Sequence, residues 1–461
     1  MWKYNDVSLF QAQDLYMAPL CIIVLTMIAV ASKRKHRGTV LEQYYMPALF
    51  IRFLFAIGYT LVIAFYYIVG DTTFYYQGLT DLRNALSNDP SLWGEVLFRL
   101  KLDENSPLYT YFMYDTGVAT HAYMLSPSNY MVPKFALPFS FLFNNSYLCI
   151  CFCLSYFSFA GCWRIFRMFT EMYPMLHRKF AVAALFLPSI LFWGGSLLKD
   201  SICMGAMGFV LYGLYNILVM RRKIPGSVLS VLVAGFFLFT IKPYILLCLL
   251  PSFLLWVFLL YKNRIRDPSV RAAAAVLFGL VILVSGFFLI QVLTRTEVAA
   301  QYSSEKIIQT VQGVQGSFRE EGAGSNFSSV SITGSPLDLV LSFPLGVIST
   351  LFRPFLWEVG SPFMVLSAIE AFLFLLLTLI TFRAVSFRLF FRIVFARPVV
   401  LFALVYSVLF AGIIGVTTIN FGALVRYKIP CIPFYLLTVF IVMHESGRFL
   451  PNDFFRAKKS I

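Results

Sequence analysis

Apolar runs of about twenty residues, separated by short polar turns, recur along most of the chain. A bilayer core is crossed by roughly 20 helical residues, because a helix satisfies its own backbone hydrogen bonds in lipid. The pattern therefore predicts an all-α fold, a polytopic transmembrane helical bundle of about 11 helices. They fall near 14–32, 47–69, 146–166, 180–198, 201–220, 226–242, 244–261, 272–294, 363–382, 399–418 and 429–444. No internal repeat is evident, and residues 1–461 are expected to form a single integral membrane domain.

Two long segments interrupt the alternation. Residues 70–145 are polar and aromatic, with amphipathic pieces such as Asp89–Leu102. Residues 295–362 open polar and Gly-rich, then turn apolar in a piece interrupted by Pro344 and Pro354, which reads as interfacial or re-entrant. Loops of this length between short turns carry function or lack fixed structure. Both are expected to contain juxtamembrane helices.

Charge gives the bundle a direction. Basic residues gather on every second connection: Lys33 to Arg37, Arg164 to Lys179, Arg221 to Lys223, Lys262 to Arg271, Arg383 to Arg397, and a tail at about 445–461 with Arg448, Arg456, Lys458 and Lys459. Short loops rich in Lys and Arg stay on the cytoplasmic side. The expected location is the cytoplasmic (inner) membrane, with the N-terminus outside, the C-terminus and its basic tail inside, and both long loops outside. The formal net charge of +15 is thus accounted for by topology and membrane lipids, without nucleic acid. Charged residues are only 13% of the chain, about half the soluble norm, which fits a lipid environment. The first apolar run ends in a charged cluster without a small-residue cleavage site, so no cleaved signal peptide is expected. The eight Cys lie in or beside apolar runs without zinc spacing, so neither a metal nor a cofactor is expected.

The informative charges lie at outer helix ends. Asp71, in IVGDTTFYYQG, is an acid at the mouth of an apolar helix, where partial desolvation favours a general base; a helix-terminating Gly-Asp turn with an aromatic belt is the alternative. Lys199 and Asp200, in WGGSLLKDS, either pair, cap the next helix or serve a site. Lys242, in TIKPY, either snorkels or binds. Arg353 and Glu358, in LFRPFLWE, are costly beside lipid unless paired or in use. Arg426 and Lys428, in NFGALVRYKIP, are cations on the face otherwise poor in them, which points to an anionic ligand, with snorkelling or pairing with an acid as the alternative. Their common depth predicts one shared cavity. An acid beside several cations at the lipid boundary suits sugar transfer from a lipid phosphate: the base takes the acceptor proton and the cations meet the departing phosphate.

On GDTTFYYQG ahead of a long outer loop, FWGGSLLKDS, LFRPFLWE and NFGALVRYKIP, the chain resembles bacterial polytopic proteins of surface-polysaccharide assembly. It is similar to the GT-C superfamily of lipid-phosphate-sugar glycosyltransferases and to O-antigen polymerases. The resemblance implies a GT-C-like helical fold and a polyprenyl-phosphate-linked sugar or glycan as partner. It also implies that Asp71 is the catalytic base, since it matches the acid of the first outer loop. The chain departs from that pattern in having one more helix ahead of Asp71 and no paired acidic motif. Two other readings stand beside the enzyme: a flippase or transporter for a lipid-linked glycan, and a non-enzymatic membrane component of an export machine. Arg52 and Glu370 are the main charges inside predicted helices, and a flippase would need such residues along a cavity.

Overall fold

The computed structural model describes residues 9–67, 70–114, 120–262 and 336–447, with isolated positions 267, 269, 270 and 279. The chain is helical, with no strand among the described residues. Eight helices are long and apolar enough to cross a membrane: Asp14–His36, Glu42–Tyr67, Tyr147–Met172, Lys199–Met220, Ile224–Ile241, Pro243–Tyr261, Met364–Ala384 and Pro398–Thr417. A ninth would be the pair Phe421–Tyr427 and Ile432–Glu445, bent by 62° at its break. The chain is a multi-pass membrane protein.

The expected span at 180–198 is not one helix. It is a short helix His177–Ala181, a wide turn Val182–Phe186 and a second short helix Pro188–Trp193. Pro188 is the cause, because a proline pushes the preceding residue out of helical geometry, and Leu187 sits at ψ 128°. The expected span at 272–294 lies outside the described residues except for position 279. So does the Gly-rich part of the second long loop and the tail from 448.

The described residues form two compact units. The first comprises 1–172 and 184–243 and is built on α1 (Asp14–Lys33), α2 (Glu42–Val62), α3 (Asp71–Asn88), α4 (Pro127–Leu142), α5 (Tyr147–Met172), α6 (Lys199–Leu214) and α7 (Ile224–Ile241). At its centre α5 packs on α6 through glycine. A side chain at Gly161 would collide with the backbone of Gly205, and one at Gly208 with the backbone of Gly161. In membranes, where lipid is as apolar as leucine, small residues that let backbones approach are what hold helices together. Helices α1 and α2 flank α5, and α7 packs on α6 and α4.

The first long loop is folded rather than open. Helix α3 buries Thr72, Thr73, Tyr75, Tyr76 and Leu79 and packs against α4. Its start is capped locally: Thr73 Oγ1 accepts from the Gly70 N–H (3.2 Å) and donates to the Gly70 carbonyl (2.7 Å). Asp71 in the first turn faces the positive end of the helix dipole. Short helices Trp93–Phe98, Pro107–Tyr114 and His121–Met124 complete the segment. At the opposite, basic end of the unit, Arg221 and Lys223 take left-handed φ values of 51° and 50° between α6 and α7. Each such non-glycine residue costs about 1–2 kcal/mol.

The second unit comprises 173–183 and 244–461. Its helices are α8 (Pro243–Tyr261), α9 (Pro336–Phe352), α10 (Pro362–Ala384), α11 (Phe387–Ala396), α12 (Pro398–Thr417), α13 (Phe421–Tyr427) and α14 (Ile432–Glu445). Helix α9, the apolar end of the second long loop, lies against α12 by the same device. A side chain at Gly346 would press on the Gly412 carbonyl, and one at Gly415 would collide with the backbone of Gly346. Thr350 Oγ1 adds a bond to the Ala411 carbonyl (2.7 Å).

Candidate functional site

In the first unit the polar residues collect at the end opposite the basic turns. Helix α6 begins there with Lys199 and Asp200, α7 ends there before Lys242, and α3 begins there with Asp71. The carboxylate of Asp71 is half-buried and accepts from the Tyr123 hydroxyl (2.9 Å). The Tyr123 ring stacks on Phe74, with centroids 5.1 Å apart. Its hydroxyl lies 3.3 Å from that of Tyr75, which is fully buried. Asn129 ties the group together: its Nδ2 donates to the Tyr123 carbonyl (2.9 Å) and its Oδ1 accepts from Tyr75 (3.4 Å).

One residue before Asn129, Ser128 Oγ accepts from Lys199 Nζ at 2.9 Å and lies 3.1 Å from Ser126 Oγ. A carboxylate and an ammonium, from helices far apart in sequence, are thus both anchored on the segment 123–129. Each is held by a hydroxyl, and each side chain is only partly buried. Such a pair can accept a proton and steady a developing negative charge.

Asp200 pairs with Lys242 rather than with its neighbour Lys199. Lys242 Nζ lies 2.6 Å from Asp200 Oδ1, and the side chains are 6% and 2% exposed. Lys242 therefore turns inward, not out to the interface. The pair joins the start of α6 to the end of α7. Ser201 closes the turn ahead of α6 by donating to the Ser196 carbonyl (2.6 Å) and accepting from the Ser196 N–H (3.2 Å).

The second unit gathers the other sequence candidates. Arg353 Nε lies 3.1 Å from both oxygens of Glu358, and its Nη2 also meets that carboxylate. Glu358 accepts from the Phe355 N–H as well (2.9 Å). Partial burial works against the charge of Glu358, but the Arg353 guanidinium and the Phe355 N–H outweigh it and hold the carboxyl below the usual glutamate range. Lys428, 1% exposed, donates to the Arg353 carbonyl at 3.0 Å and interacts electrostatically with the buried Glu370 of α10. The Arg353 guanidinium also lies 5.2 Å from the Phe421 ring. Arg426 is half-buried beside the Tyr427 ring (5.9 Å), and Trp357 stands 80% exposed, stacked on Phe355.

The eight candidates thus form two groups: Asp71, Lys199, Asp200 and Lys242 in one unit, and Arg353, Glu358, Arg426 and Lys428 in the other. Sequence reasoning missed Tyr123, Ser128 and Asn129. It also missed Asp81, fully buried in α3, which accepts from Thr120 (2.8 Å) and Gln77 (3.3 Å). The run SPSN at 126–129 signals a helix start, since Ser precedes Pro at the first helical position, but nothing in it points to Asp71. Among the described residues no cluster of His, Cys, Asp and Glu is placed to hold a metal ion. Comparison of the chain with family models, with curated proteins and with solved structures gives no match.

Proposed function

We propose that this protein is a membrane glycosyltransferase or polysaccharide polymerase that takes sugar from a polyprenyl-phosphate-linked donor at the outer face of the cytoplasmic membrane. The observation that carries the reading is the anchoring of Asp71 and Lys199 on the one segment 123–129, at the end away from the basic turns. Asp71 takes the proton of the acceptor hydroxyl as its oxygen bonds to the anomeric carbon. The bond from that carbon to the phosphate oxygen breaks, and the electron pair leaves with the phosphate. The Lys199 ammonium meets that growing charge, which is where preorganised electrostatics contribute most. Tyr123 and Asn129 orient the base. The Asp200–Lys242 pair, one residue along α6 from Lys199, ties the start of that helix to the end of α7.

The alternative is a flippase for the lipid-linked glycan. The observation in its favour is Arg52, fully buried within α2, which donates to Ser158 Oγ (2.8 Å) while its Nε and Nη2 lack partners among the described residues. A charge within a span is a mark of a transport path. The two readings separate in membranes supplied with a lipid-linked sugar and an acceptor. Asp71→Asn should abolish product on the enzyme reading. Product formed at the wild-type rate, with export of the glycan lost in Arg52→Gln, would favour the flippase.

A further inference from the structure

At the other end of the first unit, a cavity of about 500 Å³ opens among the basic-end termini of α1, α5, α6 and α7. That volume lies within the range of small-ligand pockets. Its charged lining is Lys35, Arg164, Arg167 and Lys223, with no Asp or Glu. Arg167 is neutralised by Glu171 (2.7 Å), which also holds Arg222 (2.6 Å). Lys35, Arg164 and Lys223 have no carboxylate partner among the described residues. His36 adds no charge, because its Nε2 accepts from Trp163 Nε1 (3.2 Å) and an imidazole that accepts is neutral.

Arg164 is placed rather than loose. The Arg164 guanidinium lies 3.6 Å over the Phe209 ring while its Nη1 donates to the Ala160 carbonyl (2.7 Å). The stacked plane keeps the remaining N–H groups in a fixed fork, the arrangement that suits an anion with several oxygens. Lys223 reaches the rim from a left-handed backbone, a conformation retained where a site over-determines it. Tyr45 and Tyr156 supply aromatic wall and hydroxyls, and the Tyr212 ring adds to the wall while its hydroxyl bonds Glu171 (3.3 Å) and Arg222 (2.9 Å). The first turn of α7, with Gly226 and Ser227 in the lining, presents its positive end.

We propose that this cavity is a phosphate-binding site, separate from the transfer site and taking a phosphate monoester or diester against an aromatic wall. It does not depend on the proposed reaction, which uses the opposite ends of α6 and α7. The phosphate can be borne by a lipid headgroup or by a soluble compound, and the test distinguishes them. The purified full chain in phosphatidylcholine nanodiscs is titrated with short-chain phosphatidic acid and, separately, with inorganic pyrophosphate. Saturable binding of at least one is expected, and it should weaken about tenfold or more in Lys35→Gln/Lys223→Gln, as for loss of charge-assisted hydrogen bonds. Both lysines are exposed, so this variant should fold. Arg164→Lys should retain part of the affinity and Arg164→Gln little. Binding of phosphatidic acid alone assigns a lipid phosphate; comparable binding of pyrophosphate assigns a soluble one. Absence of saturable binding by both probes, or wild-type affinity in the double lysine variant, would overturn the proposal.

Discussion

Replacing Asp200 by Asn keeps the size of the side chain but removes the carboxylate charge that the Lys242 ammonium meets in a place shut from solvent. The two groups are 2.6 Å apart and 2% and 6% exposed, so water cannot take over the lost interaction. Breaking a buried pair from one side costs about 3–5 kcal/mol, because the orphaned charge stays desolvated. For a unit of this size that lowers the unfolding midpoint by on the order of 10 °C. Lys242→Met should cost a similar amount by removing the ammonium that Asp200 meets. The double variant Asp200→Leu/Lys242→Met removes both charges and fills the space with apolar groups. Such replacements are often neutral or stabilising, so it should unfold close to wild type. The assay is thermal unfolding of purified protein in one detergent, followed by tryptophan fluorescence. If Asp200→Asn unfolds at the wild-type midpoint, or the double variant falls below both single ones, the pair is not what joins α6 to α7.

The close crossing of α5 and α6 predicts that Gly208→Val destabilises by about 1–3 kcal/mol or more, since the new side chain meets the Gly161 backbone, whereas Gly235→Val, facing open space, should be silent in the same unfolding assay. Glu358 is held below the usual glutamate pKa of about 4.3. Its stabilising effect is complete above that value and is lost as pH falls through the lower folded value, so an acid-induced loss of stability below about pH 4 should shrink in Glu358→Gln. The basic turns predict that reporter fusions give a cytoplasmic signal at the tail and an external one at residue 320; a cytoplasmic signal at 320 would reverse the bundle.

The spanning helices are legible because lipid demands long apolar runs, and eight of the expected spans coincide in outline with helices that pass that test. The run at 180–198 was misleading, since hydropathy does not register what Pro188 does to Leu187. The segment 70–145 reads as a loop because its polar residues are many. Its helices bury those residues by pairing them, as Asp81 pairs with Thr120 and Gln77, and pairing is invisible to composition. Asp71 and Lys199 stand out in the sequence as isolated charges at helix mouths. Tyr123 and Ser128, which hold them, do not, because hydroxyls are common and their choice of partner is set by the packing of α3, α4 and α6. The inward pairing of Lys242 with Asp200 was likewise open in the sequence, where a lysine at a helix end reads equally as snorkelling.

The central claim is that Asp71 is a base and Lys199 a phosphate partner in one transfer reaction. The direct measurement is the rate of sugar transfer from a polyprenyl-phosphate donor in membranes holding matched amounts of wild type, Asp71→Asn and Lys199→Gln. Loss of general-base assistance should slow Asp71→Asn by ~100- to 10,000-fold. Lys199→Gln should be slowed less, and Tyr123→Phe less still, because the phenol only orients the carboxylate. Product from Asp71→Asn at close to the wild-type rate would contradict the account.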